Sequence, residues 1–169
     1  MNVYYVKTAL YAYPHIEAIL EQIDDLVLRK ALSSMSDFSP CEEQCEKILD
    51  FTWQKDVLCA LKLMVEKALN KLSDMQKDML DYKYFKHKPK ECFIGFDVQS
   101  RGYFRRQVAL VKKLGERFDK VGLTDEWFDK NCMVMDFFVQ MHKRIVKSEQ
   151  KRSKKQKQCA KFQPLKLSA

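Results

Sequence analysis

A short stretch in the second half of the chain concentrates side chains whose chemistry suits a polyanion. Arg101, Arg105 and Arg106 lie within six residues, and Gln99 and Ser100 directly precede them. Arginine donates paired hydrogen bonds to phosphates and to guanine, whereas glutamine reads adenine. A serine at the start of a helix leaves backbone amides that favour a phosphate. The candidate DNA-binding residues of this stretch are Gln99, Ser100, Arg101, Tyr103, Arg105, Arg106, Lys112 and Lys113.

The cysteines and histidines form no pattern that holds a metal or performs catalysis. Cys41 and Cys45 are four residues apart and would share one face of a helix. However, the six cysteines include no CxxC pair, and His15, His87 and His142 lack the spacing of metal ligands. Walker, Rossmann, nucleophile-elbow and HExxH motifs are also missing from the sequence. We therefore expect a non-enzymatic protein with no metal and no cofactor, whose cysteines serve as small hydrophobic residues.

The composition restricts the elements that can position the candidate side chains. The 169 residues are 46% hydrophobic and 32% charged, with only four glycines and four prolines. A β-sandwich needs a turn about every 8–12 residues, and a doubly wound α/β fold needs glycine-rich turns. The composition therefore predicts an all-α fold. Because the sequence contains neither a secretory signal nor a run of about 20 apolar residues, we expect a cytoplasmic location with reduced thiols.

The first 69 residues predict an acidic helical scaffold. Apolar side chains recur at three- and four-residue steps between residues 13 and 34, with Pro14 in the first turn, and a less regular helix precedes them over residues 3–11. The segment SSMSDFSP breaks this pattern, and Ser39 and Pro40 then begin a long helix that ends near Leu69. Residues 1–69 carry 7 basic and 11 acidic side chains. We interpret this region as a surface for dimerisation or for a protein partner.

Residues 70–122 have the order of elements that is typical of a helix-turn-helix. Ser73 caps the first helix, a short helix over about residues 89–94 ends at Gly95, and a long helix over about residues 100–120 ends at Gly122. The side chains expected to face inward are Met75, Met79, Leu80, Tyr82 and Phe85 in the first helix and Phe104, Val108, Val111, Leu114 and Phe118 in the last. The rest of the last helix carries the arginines and lysines named above.

Residues 69–118, LNKLSDMQKDMLDYKYFKHKPKECFIGFDVQSRGYFRRQVALVKKLGERF, resemble region four of bacterial sigma factors and the related helix-turn-helix of phage-type late-gene regulators. The features that carry this resemblance are the leucine-serine start at residues 72–73, the short middle helix, and the pattern S-R-x-x-[YF]-R-R-Q, which begins at Ser100. The resemblance implies that the last helix enters the major groove, with Ser100, Arg101, Arg105 and Arg106 at the DNA. No aromatic-basic promoter-melting element precedes it, so it implies DNA binding rather than the activity of a complete sigma factor.

The last part of the chain predicts a C-terminal helix and a tail. Thr124 is suited to cap a helix over residues 123–147, with Asp125 and Glu126 favourable at its positive end. From Ser148 onward the sequence predicts a disordered basic tail over residues 148–169. Residues 70–120 and residues 121–169 each carry a net charge of +6, whereas residues 1–69 carry −4. The predicted organisation is therefore an acidic region at 1–69, a helix-turn-helix at 70–122, a helix at 123–147 and a tail.

This organisation is compatible with two functions, neither of which involves a membrane. The first is a sequence-specific regulator of transcription that binds double-stranded DNA with the helix at about residues 100–120; contact with RNA polymerase and homodimerisation through the N-terminal half stay open. The second is a helical adaptor whose basic half binds an acidic partner protein. A steep salt dependence combined with a sequence preference distinguishes the first function from the second.

Overall fold

The fold of the chain is given by a computed structural model, which describes residues 1–33, 41–86 and 101–161. No strand occurs in these ranges, and the predicted all-α fold is confirmed. A 3-10 turn, Tyr13–His15, joins the first two helices, and a π-helical segment, Asp81–Phe85, continues the fourth. The helices are α1 Val3–Ala12, α2 Ile16–Ser33, α3 Cys41–Leu69, α4 Asp74–Leu80, α5 Arg101–Lys120, α6 Asp125–Asn131 and α7 Asp136–Lys161.

The acidic and basic parts of the chain share one hydrophobic core. Helix α1 packs against α5 and α7, and α3 also packs against α5. Leu10 of α1 is fully buried in the same cluster as Leu114 and Phe118 of α5 and Phe128 of α6. The predicted boundary at residue 69 therefore separates regions of different charge and does not separate packing units.

Several helix ends lie where the sequence places them. The backbone of Ser73 is extended, and its N–H donates to Gln76 Oε1 at 3.3 Å, which begins α4. Gly122 has a φ of 92°, and the N–H of Leu123 donates to the carbonyl of Phe118 at 2.9 Å, which closes α5. Thr124 Oγ1 accepts from the N–H of Trp127 at 3.2 Å and begins α6. These three predicted caps are confirmed.

The predicted single helix over residues 123–147 is wrong, because the structure divides it into α6 and α7. In the turn between them, the N–H of Met133 donates to the Phe128 carbonyl, and that of Met135 donates to the Cys132 carbonyl. The turn brings Phe128 and Phe138, both fully buried, edge to face with their ring centroids 5.8 Å apart. In a continuous helix, residues ten apart are separated by about 15 Å along the axis. Aromatic packing therefore overrides helix propensity here.

The boundary at residue 148 between the predicted helix and the predicted tail is corrected, because α7 continues to Lys161. Glu149 pairs with Lys7 of α1 at 3.1 Å, which attaches this part of α7 to the bundle, and with Arg152 of α7 itself at 3.5 Å. The sequence up to Lys161 contains no glycine or proline after Gly122, and its lysines, arginines and glutamines are good helix formers. The rest of the predicted tail, residues 162–169, lies outside the described residues.

Helix α5 is rotated relative to the prediction. Val111, Leu114 and Phe118 are buried as expected, but Phe104 is 52% exposed and Val108 is 72% exposed. Tyr103 and Gln107 occupy the buried positions instead. Both sets have three- and four-residue spacing, so the periodicity alone does not choose between them. A similar correction applies to Met75 of α4, which is exposed, whereas Met79 and Leu80 are buried.

Helices α2 and α3 form a long hairpin that extends beyond the core. The buried residues of this pair end at Ile23 in α2 and begin again at Val57 in α3, apart from Gln44. The two helices together carry ten acidic and six basic side chains. Their exposed large apolar residues are Leu26, Leu28, Leu32, Leu49, Trp53 and Leu63. Within the described ranges, no helix is sufficiently long and apolar to cross a membrane.

Candidate nucleic-acid interface

The outer face of α5 is basic along its first two thirds. Arg101, Arg105 and Lys112 are exposed and, at about 100° per residue, fall within about 40° of one another around the helix. Arg101 and Lys112 are separated by about 16 Å along the axis. The opposite side of the helix buries Leu110 and Leu114. The helix therefore has a packed side that fixes its orientation and a charged side that faces outward.

Two further cations, Arg106 and Lys113, are exposed beside this face. Arg106 contacts Met75 of α4, with Nη1 3.8 Å from the sulfur. Within the described ranges, no carboxylate lies at salt-bridge distance from Arg101, Arg105, Arg106, Lys112 or Lys113. Because the described residues do not neutralise these charges, we expect them to attract an anionic partner.

Arg117 differs from the cations of the outer face because it is used inside the fold. Its two terminal nitrogens donate to the carbonyls of Ala68 at 3.3 Å and Lys71 at 3.0 Å. These carbonyls belong to the C-terminal end of α3 and the turn after it, where helix carbonyls lack partners of their own. Arg117 therefore attaches α5 to α3. The basic face ends before it, since Glu116 and Asp119 are exposed in the last turns of α5.

The assignment of Tyr103 as a DNA-binding residue is corrected. Its side chain is only 5% exposed, and its hydroxyl accepts from Gln107 Nε2 at 2.7 Å. Burial raises the pKa of Tyr103 to about 12. Phe104 is the exposed aromatic residue of this turn, although its apolar spacing predicts that it faces inward. A signal was present, since Phe104 lies in the same turn as Arg101 and Arg105, but the apolar spacing assigned it to the core.

Part of the predicted helix-turn-helix lies outside the described residues. This part includes the short helix over about residues 89–94, the cap at Gly95, and the candidate residues Gln99 and Ser100. Helix α5 begins at Arg101 and ends at Lys120. The described structure therefore contains the predicted second helix of the motif and exposes its five basic candidates, Arg101, Arg105, Arg106, Lys112 and Lys113.

Close packing against α1 holds the other edge of α5. A Cβ added at Gly115 would lie 3.4 Å from Cγ2 of Val6 and 3.2 Å from the carbonyl oxygen of Met1. The glycine therefore allows the two backbones to approach closely. The bundle therefore packs against both edges of the helix that carries the candidate interface residues.

A second set of exposed cations lies along α7 and consists of Lys143, Arg144, Lys147, Lys151 and Arg152.

The chain matches no protein-family model, no curated protein sequence and no solved structure. The interpretation of α5 therefore depends on its own charge, burial and geometry. The relation of residues 69–118 to sigma region four stays a resemblance of residue types and spacing.

Proposed function

We propose that the protein is a transcriptional regulator that binds double-stranded DNA sequence-specifically, with α5 as its recognition helix. The observation that carries this proposal is the row of exposed cations on α5, Arg101 to Lys113, for which the described residues supply no carboxylate. A recognition helix presents its N-terminal residues to base edges in the major groove. The basic part of α5 is its N-terminal part, which matches this requirement.

The side chains along α5 differ in chemistry and are therefore suited to different contacts with DNA. Arg101 and Arg105 are nearest the N-terminus and are suited to bidentate contacts with guanine. Lys112 and Lys113 lie two to three turns further along and are suited to phosphates, which give affinity without sequence preference. Helix α5 is about 30 Å long, and its inner side is buried, so it can enter a groove without losing its place in the bundle.

A second candidate function is favoured by one observation. Phe104 and Val108 are exposed beside the basic face, and exposed apolar side chains next to cations are typical of a surface for an acidic protein. In this second candidate function, the protein is a non-enzymatic adaptor whose basic half binds an acidic partner. It predicts that binding depends on Phe104 and Val108 as strongly as on the arginines.

The experiment that tests the first function is an unbiased selection of duplexes by the purified full-length protein, followed by titration with salt. A regulator enriches a defined sequence and binds it at least about a thousandfold more tightly than other duplexes. The logarithm of affinity should fall linearly with the logarithm of salt concentration. If no duplex competes better than a generic polyanion, the regulator proposal is wrong and the adaptor proposal is preferred.

The same proposal assigns the α2–α3 hairpin to protein contact. The hairpin is acidic, extends beyond the core, and exposes Leu28, Leu32 and Leu49. Its partner is either a second copy of the chain or RNA polymerase. Sedimentation of the protein alone and with core polymerase distinguishes these partners, and the substitution Leu49→Glu should weaken whichever contact is found.

A further inference from the structure

A cavity of about 490 Å³ lies between α1, the π-helical segment and α5. This volume falls within the range of about 300–1,000 Å³ that is usual for small-molecule sites. The cavity adjoins the outer face of α5, because Lys112 and Val108 line the cavity and lie on or beside that face. Its contents are therefore tested in the absence of DNA.

One wall of the cavity is apolar and exposed. Val3 of α1 and Val108 and Val111 of α5 line it, and Val3 and Val108 leave large fractions of their side chains uncovered. Burial of such surface is favourable by about 25 cal/mol per Å². The wall therefore suits the hydrocarbon part of a ligand.

Another part of the cavity carries positive charge that the fold compensates poorly. Lys83 is partly buried, and its ammonium donates to the neutral Gln107 Oε1 at 2.6 Å. Lys7 also lines the cavity and pairs with Glu149 at 3.1 Å. Arg152 pairs with the same carboxylate at 3.5 Å. Among the described residues, Lys7 and Arg152 thus share the carboxylate of Glu149, whereas Lys83 donates to an amide oxygen.

The surroundings of Lys83 affect its protonation. Burial, together with the nearby charges of Arg152 and Lys7, lowers its pKa from 10.5 to about 8, against the opposing effect of Glu149. A buried ammonium without an anionic partner is unfavourable. An anion in the cavity would relieve this cost.

Tyr84 supplies a second polar group beside Lys83. Its side chain lines the cavity and is only 4% exposed, and within the described residues its hydroxyl has no hydrogen-bond partner. Burial raises the pKa of Tyr84 well above its ordinary value, so the hydroxyl stays protonated and can donate. Buried polar groups in folded proteins normally have partners. An anionic acceptor would satisfy this one.

The other end of the cavity disfavours an anion. Glu116 and Asp119 line it and lie nine and twelve residues beyond Gln107 on α5, or about 13–18 Å along the helix. Since Gln107 contacts Lys83 directly, the Lys83 end of the cavity is well separated from these carboxylates, whereas Lys112 lies only four residues before Glu116. A bound anion should therefore have its charged group at Lys83.

We propose that this cavity binds a small amphiphilic carboxylate, with its charged group at Lys83 and Tyr84 and its hydrocarbon chain along Val3, Val108 and Val111. The carboxylate accepts hydrogen bonds from the Lys83 ammonium and from the Tyr84 hydroxyl. The chain covers the apolar wall. Because ligand binding is measured without DNA, failure of this proposal can be distinguished from failure of the proposed function.

The test is a calorimetric titration of the full-length protein, without DNA, with decanoate and with decanol. The two probes share a hydrocarbon chain and differ in the charged group. Decanoate should bind with a stoichiometry of one and about tenfold or more tightly than decanol, as expected for a charge-assisted hydrogen bond. Equal affinity for the two probes, or no binding of decanoate, overturns the proposal.

Two variants locate the ligand in this cavity. Lys83→Met keeps the length of the side chain but removes its charge, and it should weaken decanoate binding about tenfold while leaving decanol unchanged. Lys113→Met is the matched control, because Lys113 is exposed on α5 and does not line the cavity. Val108→Glu changes an exposed side chain of the wall, so it should fold and should repel decanoate. Wild-type affinity in both Lys83→Met and Val108→Glu overturns the proposal.

Discussion

Lys83 Nζ donates to Gln107 Oε1 at 2.6 Å, which joins the π-helical segment to the buried side of α5. The amide nitrogen of Gln107 donates in turn to the Tyr103 hydroxyl at 2.7 Å. The Tyr103 ring meets the Tyr82 ring edge to face, with centroids 6.2 Å apart. This polar connection holds Gln107 inward. Because the side chains of one helix keep fixed angles to one another around its axis, the burial of Gln107 also directs Arg101 and Arg105 outward.

Replacing Gln107 by Leu should destabilise the fold through Lys83. The variant leaves a partly buried ammonium without its acceptor, and it removes the donor to Tyr103. We expect the free energy of unfolding to fall by about 1–3 kcal/mol, measured by urea denaturation followed by circular dichroism. The double variant Lys83→Met with Gln107→Leu is the control. It should recover most of the loss, since replacing both partners by apolar groups is nearly neutral.

Replacing Arg101 or Arg105 by Ala should relax the sequence preference of DNA binding. Each change should cost about 1–3 kcal/mol on the selected duplex if the side chain contacts a base edge. Replacing Lys112 or Lys113 by Ala should weaken all duplexes alike and reduce the salt slope by about one. Fluorescence anisotropy with the selected duplex and a scrambled one measures both effects.

A matched control for these variants is Lys62→Ala. Lys62 pairs with Glu17 at 2.6 Å in the α2–α3 hairpin, away from α5, and its removal should leave DNA affinity unchanged. Identical behaviour of the arginine and lysine variants of α5 would contradict a recognition helix. A loss of binding in Phe104→Ala as large as that in Arg105→Ala would instead favour the adaptor.

The sequence predicts the elements of this fold better than their rotation. Ser73, Gly122 and Thr124 end or begin helices by local hydrogen bonds, so local chemistry identifies them. The rotation of α5 depends on partners for Gln107, and Lys83 is 24 residues away. A polar residue on a possible inward stripe gives no local sign that it is buried.

The candidate site shows the same limit. Five exposed cations on α5 follow from residue types and helical spacing. The cavity cannot be predicted in this way, because residues that are far apart in the sequence line it, among them Val3, Lys83 and Val108. The break between α6 and α7 also lacks a local signal, since it contains neither glycine nor proline and exists to bring Phe128 against Phe138.

The depressed pKa of Lys83 predicts a pH dependence of stability. Its pKa in the folded protein is about 8, against 10.5 for the free side chain, so between these values the unfolded chain binds more protons than the folded one. Stability contributed by this group therefore rises as the pH increases from about 8 to 10.5. Lys7, Arg152, Glu149 and Gln107 surround the ammonium, and of these only Glu149 opposes the shift.

The comparison that isolates this effect is between the wild type and Lys83→Met. Tyr103 and Cys132 have raised pKa values and oppose the rise in alkaline solution, but they are common to both proteins. The difference in the free energy of unfolding between the wild type and the variant should shift in favour of the wild type from pH 8 upward. Urea denaturation at several pH values measures it. A difference that is constant across this interval would show that Lys83 is not desolvated.

Removal of residues 1–69 should unfold the remainder of the chain. Although this region differs in charge, α1 covers α5 and α7, and its Leu10 is buried in the same cluster as Leu114 and Phe118. A fragment of residues 70–161 would expose these side chains to water and lose their burial free energy. We expect it to lack a cooperative urea transition and near-ultraviolet circular dichroism, whereas a chain ending at Lys161 should keep both. A 70–161 fragment that unfolds cooperatively would instead show that the chain after residue 69 folds independently, as the boundary predicted from the sequence implies, and only then could its DNA affinity be compared with that of the full chain.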